Sequence, residues 1–519
     1  MDETQKTQAT QGVQAAQAAW EPQAAQAARE TQAARETQAA QGTKQTQPTQ
    51  PTQAPQLTQK QKTLRRTTLF IAMLAAFIFP FAGSSLSISI PFIAEDFQTP
   101  ATSLSWVMSA MMLTNVALNV PFGKFADLWG RRKVFNIGTF IFAAASLLGS
   151  FAPSFWILIV IRVLQGIGAA MFISTNFAIL LDVFPGRERG RVLGLTVMCT
   201  YIGLAIGPVV GGFITHYLSW RAIFVVTSAV ALTVFIVATT SSSKLQKVSD
   251  VSAKSISINP VSNILYIAAM LVFMYGFTVF GQHLYSYFFL AAGIILLVVF
   301  AWHELRTTIP IIEVRLFKGN PNFIFSNLAA LLNYAATGTI SYILTIYLVV
   351  VRGFQPDMAG LILIIQPTIM AVFSPIMGKL SDKRSPFIIS SVGMAICALC
   401  MLLFVFLSET SSLVFVGLVL AVVGFGFGIF SSPNTNAILS SVSQKDSGVA
   451  NSILATMRII GQLSSMAIIT IVMYFTIGNA LISEAGAEGI MRTIHTTFIV
   501  FTILCVVGVL LSLGRKRAK

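Results

Sequence analysis

From Leu64 onward, apolar blocks of about 18–25 residues recur about fourteen times, separated by short charged loops. A helix of that length rises about 30 Å, the thickness of the hydrocarbon core of a bilayer. In hydrocarbon a backbone must satisfy its own polar groups, and a helix does so within one segment. The pattern therefore predicts an all-α integral membrane protein. Composition agrees: 10% of the residues are charged, against about 25% in a soluble domain. A formal charge of +15 would suggest nucleic acid as the partner of a soluble protein. Here the cations sit in short loops between apolar blocks, so they read as orientation signals beside a lipid bilayer, and no nucleic acid is expected.

The loop charges test the helix count. With the N-terminus in the cytoplasm, inner loops hold Lys124, Arg131, Arg132, Lys133, Arg187, Arg189, Arg191, Lys244, Lys247, Lys254, Arg306, Arg315, Lys318, Lys379, Lys383, Arg384 and Lys445, and outer loops only Arg221, Arg352 and Arg492. Positive residues resist translocation, so this bias predicts an even number of crossings with both termini inside, at the plasma membrane. Residues 1–62 are a different material, rich in Gln, Thr and Ala. They bury too little apolar surface to offset ordering, so a disordered cytoplasmic tail is expected there, with a frayed helix around 13–40 as the alternative. It does not read as a secretory signal.

The loop Gly123-Lys124-Phe125-Ala126-Asp127-Leu128-Trp129-Gly130-Arg131-Arg132-Lys133 follows the second block, and Gly378-Lys379-Leu380-Ser381-Asp382-Lys383-Arg384 follows the tenth. Both place Asp four residues after Gly, with cations beyond it. The first six helices then match the last six, and the seventh and eighth are an insert. The expected units are a six-helix bundle over 63–241, two inserted helices over 262–303 and a second six-helix bundle over 322–514. Both copies of the loop lie on one side, as in transporters that rock two parallel halves about a central site.

These residues resemble the major facilitator superfamily over about 64–514. Gly123–Lys133 is similar to its signature loop. Arg162-Val163-Leu164-Gln165-Gly166-Ile167-Gly168-Ala169-Ala170 on the fourth helix is similar to its Arg-x-x-Gln-Gly-x-Gly-Ala-Ala run. Gly203-Leu204-Ala205-Ile206-Gly207-Pro208-Val209-Val210-Gly211-Gly212 on the fifth is similar to its antiporter motif, and Trp220-Arg221 before the sixth is typical. Fourteen helices point to the drug:proton antiporter branch. The resemblance implies two six-helix bundles that alternate access to a cavity lined by helices 1, 2, 4, 5, 9, 10, 12 and 13, and export of a small molecule in exchange for protons or another ion.

Physical reasoning on the motifs is narrower. Gly203, Gly207 and Gly211 are four apart, so one bare helix face lets a neighbour approach to backbone contact, and Pro208 bends the helix. Gly212 extends the pattern. Gly123, Asp127, Gly130, Arg131 and Arg132, with Gly378 and Asp382 in the second copy, are candidates for a gate on the inner side. A buried arginine in a membrane helix needs a partner or water. Arg162 with Gln165, Arg458 with Gln462, Asn115 with Asn119, and Asn333, Tyr334 and Gln366 are the candidate substrate-binding groups. Each alone serves equally well to bridge helices.

The fourteen-helix branch usually carries an acid early in helix 1, and Ala82 stands at the matching place. No Asp or Glu lies deep in any helix by sequence. Two deep arginines without a deep acid favour neutral or anionic amphiphiles as substrate. The missing acid keeps an importer or uniporter of a small metabolite as the alternative, and a membrane sensor using the polar tail as the remaining one. No phosphate-binding Gly-x-x-x-x-Gly-Lys-Ser/Thr run occurs, the four histidines have no metal or triad spacing, and Cys199, Cys397, Cys400 and Cys505 lie in apolar runs. No enzyme, cofactor or metal centre is expected, and the chain should act as a monomer.

Overall fold

The computed structural model describes residues 58–514 apart from 185, 246–258, 281–283, 313, 382, 444–446, 479 and 483. The expected disordered tail up to residue 57, and Asp382 of the second loop motif, lie outside the described residues. Among the described residues there is no strand. The long helical segments are α1 (Gln59–Ser87), α2 (Ala101–Trp129), α3 (Arg131–Gly149), α4 (Phe155–Val183), α5 (Gly186–Tyr217), α6 (Trp220–Leu245), α7 (Pro260–Thr278), α8 (Leu284–Arg306), α9 (Pro321–Val351), α10 (Pro356–Ser381), α11 (Pro386–Val405), α12 (Leu413–Ser440), α13 (Ser447–Ile477) and α14 (Gly486–Leu513). Thirteen are long and apolar enough to cross a membrane. The other, α3, opens with Arg131, Arg132 and Lys133, which lower its apolarity, yet it packs against α4 and α6 like its neighbours.

Some helices overrun the apolar blocks. α5 starts at Gly186, ahead of the apolar run that begins near 193, and α14 at Gly486, ahead of the one that begins near 494. Helical hydrogen bonding continues through polar residues after the segment has left hydrocarbon. Others are broken where the sequence removes a ladder bond. α10 is interrupted at Ile364 between Pro356–Leu363 and Ile365–Ser381, because Pro367 offers no N–H to the Leu363 carbonyl. α9 is interrupted between Thr337 and Ile340 and ends in a π turn over Tyr347–Val351.

Small residues set how closely the helices pack, as lipid gives no hydrophobic drive for one apolar helix to seek another. On Gly138 the place of a side chain is taken by Gly168 O and Phe172 N; on Gly393 it is taken by Gly426 O and Phe430 N. The α3–α4 and α11–α12 contacts are thus built alike, residue for residue. The same holds for α4 on α2, where Gly166 meets Met111 O and Thr114, and for α12 on α10, where Gly424 meets Gln366 O.

Two seams join the halves: α2 against α13, and α5 against α10. The helix pair α7–α8 lies along the first seam. Tyr266 of α7 donates its hydroxyl to Val116 O of α2 at 3.1 Å and is within hydrogen-bonding reach of Thr456 on α13. α8 touches the rest mainly through α7 and keeps a broad apolar face outward (Leu284, Phe288, Ile295, Val298).

Candidate functional site

Tyr201 of α5, Tyr334 of α9, Ser431 and Thr435 of α12 and Arg458 of α13 converge where the halves face one another, with Tyr201, Tyr334, Ser431 and Arg458 well inside their spans. The Arg458 guanidinium donates from Nη2 to Thr435 Oγ1 at 2.6 Å and lies 5.7 Å from the centroid of the Tyr334 ring. Thr435 Oγ1 in turn donates to Ser431 O at 2.9 Å. Ser431 Oγ stands 3.5 Å from the hydroxyls of both Tyr201 and Tyr334. Good hydroxyl–hydroxyl bonds are about 2.7–2.8 Å, so these three groups converge without satisfying one another. Arg458 Nε is enclosed and has no partner. Phe427 closes the back of the cluster, edge-on to Tyr334 at 5.1 Å. The result is a cation, three hydroxyls and aromatic faces with hydrogen-bonding capacity left over, able to hold an acceptor-rich or anionic group beside a flat apolar body.

The other sequence candidates fall in several places. Arg162 is 1% exposed. It donates from Nε to Val107 O at 2.7 Å and from Nη1 to Gln165 Oε1 at 2.7 Å, and Gln165 donates to Ser146 Oγ at 2.8 Å. This network ties α4 to α2 and α3 within the first bundle and does not meet Arg458. Asn115 is fully buried and accepts from Asn119 at 3.4 Å. Asn333 is fully buried beside Cys397. Gln366 is buried on α10, with its carbonyl against Gly424. Gln462, one turn beyond Arg458, packs on Gly338 at the break in α9. Cys397, Cys400 and Cys505 are buried free thiols.

The glycines of α5 divide by face. Gly203 lies against Phe77 O of α1, Gly207 against Ser84 and Ser85, and Gly211 against Ser85 O, all within the first bundle. Gly212 lies against Pro356 O, and Gly360 against Pro208 O, so the opposite face of the same motif meets α10 of the second bundle backbone to backbone. Beside this contact His216 Nδ1 and Asp357 Oδ2 are 3.2 Å apart, and Ala101 N at the start of α2 donates to Ala480 O at 3.2 Å. The halves are therefore joined at the end of the molecule remote from the signature loop.

At the loop end, Arg131 bridges two acids: Nε to Asp127 Oδ1 and Nη1 to Asp182 Oδ1, both 2.8 Å. Gly130 has φ of 97°, a conformation that favours glycine. Arg132 borders a small crevice of about 30 Å³ with Thr68, Asn136 and Asn176. Gly123 faces Ser174, and Gly378 faces Ser432. In the second bundle Asn436 donates to Ser381 Oγ at 2.5 Å and reaches Gly378 O at 3.5 Å, tying α12 to the end of α10.

Sequence reading missed Tyr201, Ser431 and Thr435, which are unremarkable polar residues in apolar runs. It also missed a buried acid: Glu304, in the last turn of α8, is 1% exposed. Trp220 and Arg221 do have a visible partner, since both reach Asp96 at the end of the first bundle remote from the signature loop.

The sequence profile of the Major Facilitator Superfamily matches residues 72–466. The riboflavin transporter RibZ of Clostridioides difficile is 30% identical over 403 residues, covering 77% of this chain and 85% of that protein. The multidrug resistance protein Stp of Mycobacterium tuberculosis (strain H37Rv) is 27% identical over 408 residues, covering 78% and 74%. Among solved structures, a bacterial homologue of the human lysosomal transporter Spinster superposes with a TM-score of 0.64 at 14% identity, covering 87% of this chain and 96% of that one. With that profile matched over residues 72–466 and a curated transporter 30% identical over most of its length, this multi-pass membrane chain belongs to the Major Facilitator Superfamily of transporters.

Proposed function

We propose that the chain exports small neutral or anionic amphiphiles across the plasma membrane in exchange for protons, with both termini in the cytoplasm. The observation that carries this reading is the slack polar cluster of Tyr201, Tyr334, Ser431 and Arg458 between the two halves. A site assembled from both bundles is remade each time they rock, so its ligand binds in one arrangement and leaves in the other. The unpaired Arg458 Nε attracts negative charge or a carbonyl, and no acid among the described residues pairs with that guanidinium to welcome a cation. Glycine-to-backbone contact of α5 with α10 gives a tight seal at one end, in keeping with an exporter that must not leak. Monomeric action and the gate role of Asp127, Arg131, Arg132 and the loop glycines belong to the same proposal.

A second reading is transport of a flavin-like heteroaromatic, favoured by the likeness to a riboflavin transporter and by two tyrosines and a guanidinium in one cluster. Purified protein in liposomes under an imposed pH gradient decides between them. Movement of an anionic dye such as 1-anilinonaphthalene-8-sulfonate, matched by proton counterflow, is expected. Movement of riboflavin without the dye would favour the second reading, and a preference for a dicationic dye would sink both.

A further inference from the structure

We infer that Tyr266 is a clasp between the two halves, through which the α7–α8 insert holds the arrangement closed at the end remote from the signature loop. α7 lies along the α2–α13 seam with three buried side chains four residues apart, Tyr266, Met270 and Met274. They share one apolar cluster with Leu113, Val116 and Ala117 of α2 and Leu463 of α13. α7 therefore touches one helix of each half. It runs opposite to α2, since Tyr266 lies at Val116 while the Tyr275 ring is 5.8 Å from that of Trp106. Tyr266 is accordingly on the signature-loop side of the seam, and Tyr275 on the remote side.

The members of this stripe differ in what they demand. Methionine is unbranched and adapts to a changing surface, so Met270 and Met274 can follow α2 and α13 as these shift. A hydrogen bond tolerates little change of length or angle. Tyr266 is 2% exposed and donates to Val116 O of the first half at 3.1 Å. Its hydroxyl is also within hydrogen-bonding reach of Thr456 in the second half. A phenol has one hydrogen to give and lone pairs with which to accept, so Thr456 stands as donor where Val116 O is acceptor. Phe300 of α8 blocks the ring from turning aside, with the two centroids 5.5 Å apart. α8 is in turn seated on α7 by bare backbone: Gly276 meets Leu290, and Gly293 meets Phe273.

The bridge from Val116 O through Tyr266 to Thr456 thus joins the halves by a residue that belongs to neither. Rocking about a central site draws α2 and α13 together at one end as it parts them at the other. Here the remote end is shut, with Gly212 on Pro356 O and Gly360 on Pro208 O. Opening that end brings the signature-loop ends of α2 and α13 together, and the space that Tyr266 fills between them closes. One of its two partners is then lost. The clasp therefore favours the remote-closed arrangement by the strength of an ordinary hydrogen bond, about a fivefold bias in the equilibrium.

The clasp rests on movement of the two halves, not on what they carry. Its test is the distance between spin labels at Leu218 and Met358, both exposed and in opposite halves, on the full-length protein in lipid without substrate. Tyr266→Phe keeps the ring against Phe300 and removes only the hydroxyl. The population at long distance should rise about fivefold. Thr456→Val removes the partner in the second half and should raise it equally. The double variant should add nothing further, because both changes break one bridge. Unchanged distances in both single variants overturn the clasp. So does a rise in Tyr266→Phe without one in Thr456→Val, since the hydroxyl then acts only between α7 and α2, and so do summed effects in the double variant. If Tyr266→Phe fails to fold, Thr456→Val decides alone. Failure of the protein to carry 1-anilinonaphthalene-8-sulfonate, with the label shifts intact, would sink the proposed export and leave the clasp standing.

Discussion

His216 of α5 and Asp357 of α10 lie 3.2 Å apart, Nδ1 to Oδ2, and so link the two bundles at the sealed end of the molecule. The imidazole is stacked on Tyr217 at 4.5 Å, and Asp357 also accepts from the N–H of Met358 at 2.8 Å. The pair is ionic only when the histidine is protonated. Asp357→Asn should weaken the seal and shift part of the population toward the arrangement open at that end. Partial exposure keeps the shift small. Spin labels at Leu218 and Met358, both exposed, report it as a longer mean distance. An unchanged distance in Asp357→Asn, at a pH where the wild type stays closed, would remove the latch from the account.

Adjacent glycines in α5 should fail differently when enlarged. Gly211 presses on Ser85 O inside the first bundle, whereas Gly212 presses on Pro356 O of the second. In both, the obstacle is backbone, which has little room to give, and overpacking costs about 1–3 kcal/mol. Gly211→Ala should lower the melting temperature in every conformational state. Gly212→Ala should leave melting nearly unchanged and open the seal instead, because the bundles can part where a single bundle cannot. Equal melting losses with equal label distances would contradict the division of the motif by face.

The reach of sequence reading follows from what each feature depends on. Apolar length is a property of one segment at a time, so the helices were readable. The glycines were readable as contact points, but not their partners. Nothing in four-residue spacing separates Gly211, which meets α1, from Gly212, which meets α10. Arg162 and Arg458 looked alike as deep cations. The first is enclosed by its own bundle and the second faces the seam, a difference set by helix rotation, which periodicity in an all-apolar segment scarcely marks. Ser431 and Tyr201 are 230 residues apart, and only tertiary packing joins them. Glu304 lies just beyond the apolar block and was not singled out; in α8 it is one of four buried residues.

Arg131 shares one guanidinium between Asp127 and Asp182, which pins the end of α2 to the end of α4. These groups are partly exposed, so each ion pair contributes less than about 1 kcal/mol. Asp127→Asn should leave expression intact, keep the Arg131–Asp182 contact and slow transport, since the loop must release and reform as the halves rock. Because both acids use the same arginine, Asp127→Asn and Asp182→Asn together should change the rate by less than the product of the single effects. Transport rates in liposomes test both points. An Asp127→Asn protein that transports at the wild-type rate would assign the loop to topology alone.

Arg458 and Arg162 should separate binding from stability. Arg458→Ala removes the cation over Tyr334 and the bond to Thr435 at the seam. Dye affinity should fall about tenfold, equivalent to about 1.4 kcal/mol, with a modest change in melting. Arg162→Ala strips donors from Val107 O and Gln165 Oε1 in a fully enclosed place, and leaving buried acceptors unpaired costs about 1–3 kcal/mol. Its melting temperature should drop clearly, while whatever protein remains folded binds the dye as the wild type does. Dye titration and thermal unfolding on the same preparations read both quantities. A tenfold loss of affinity in Arg162→Ala with unchanged melting would move the binding site into the first bundle and away from the seam.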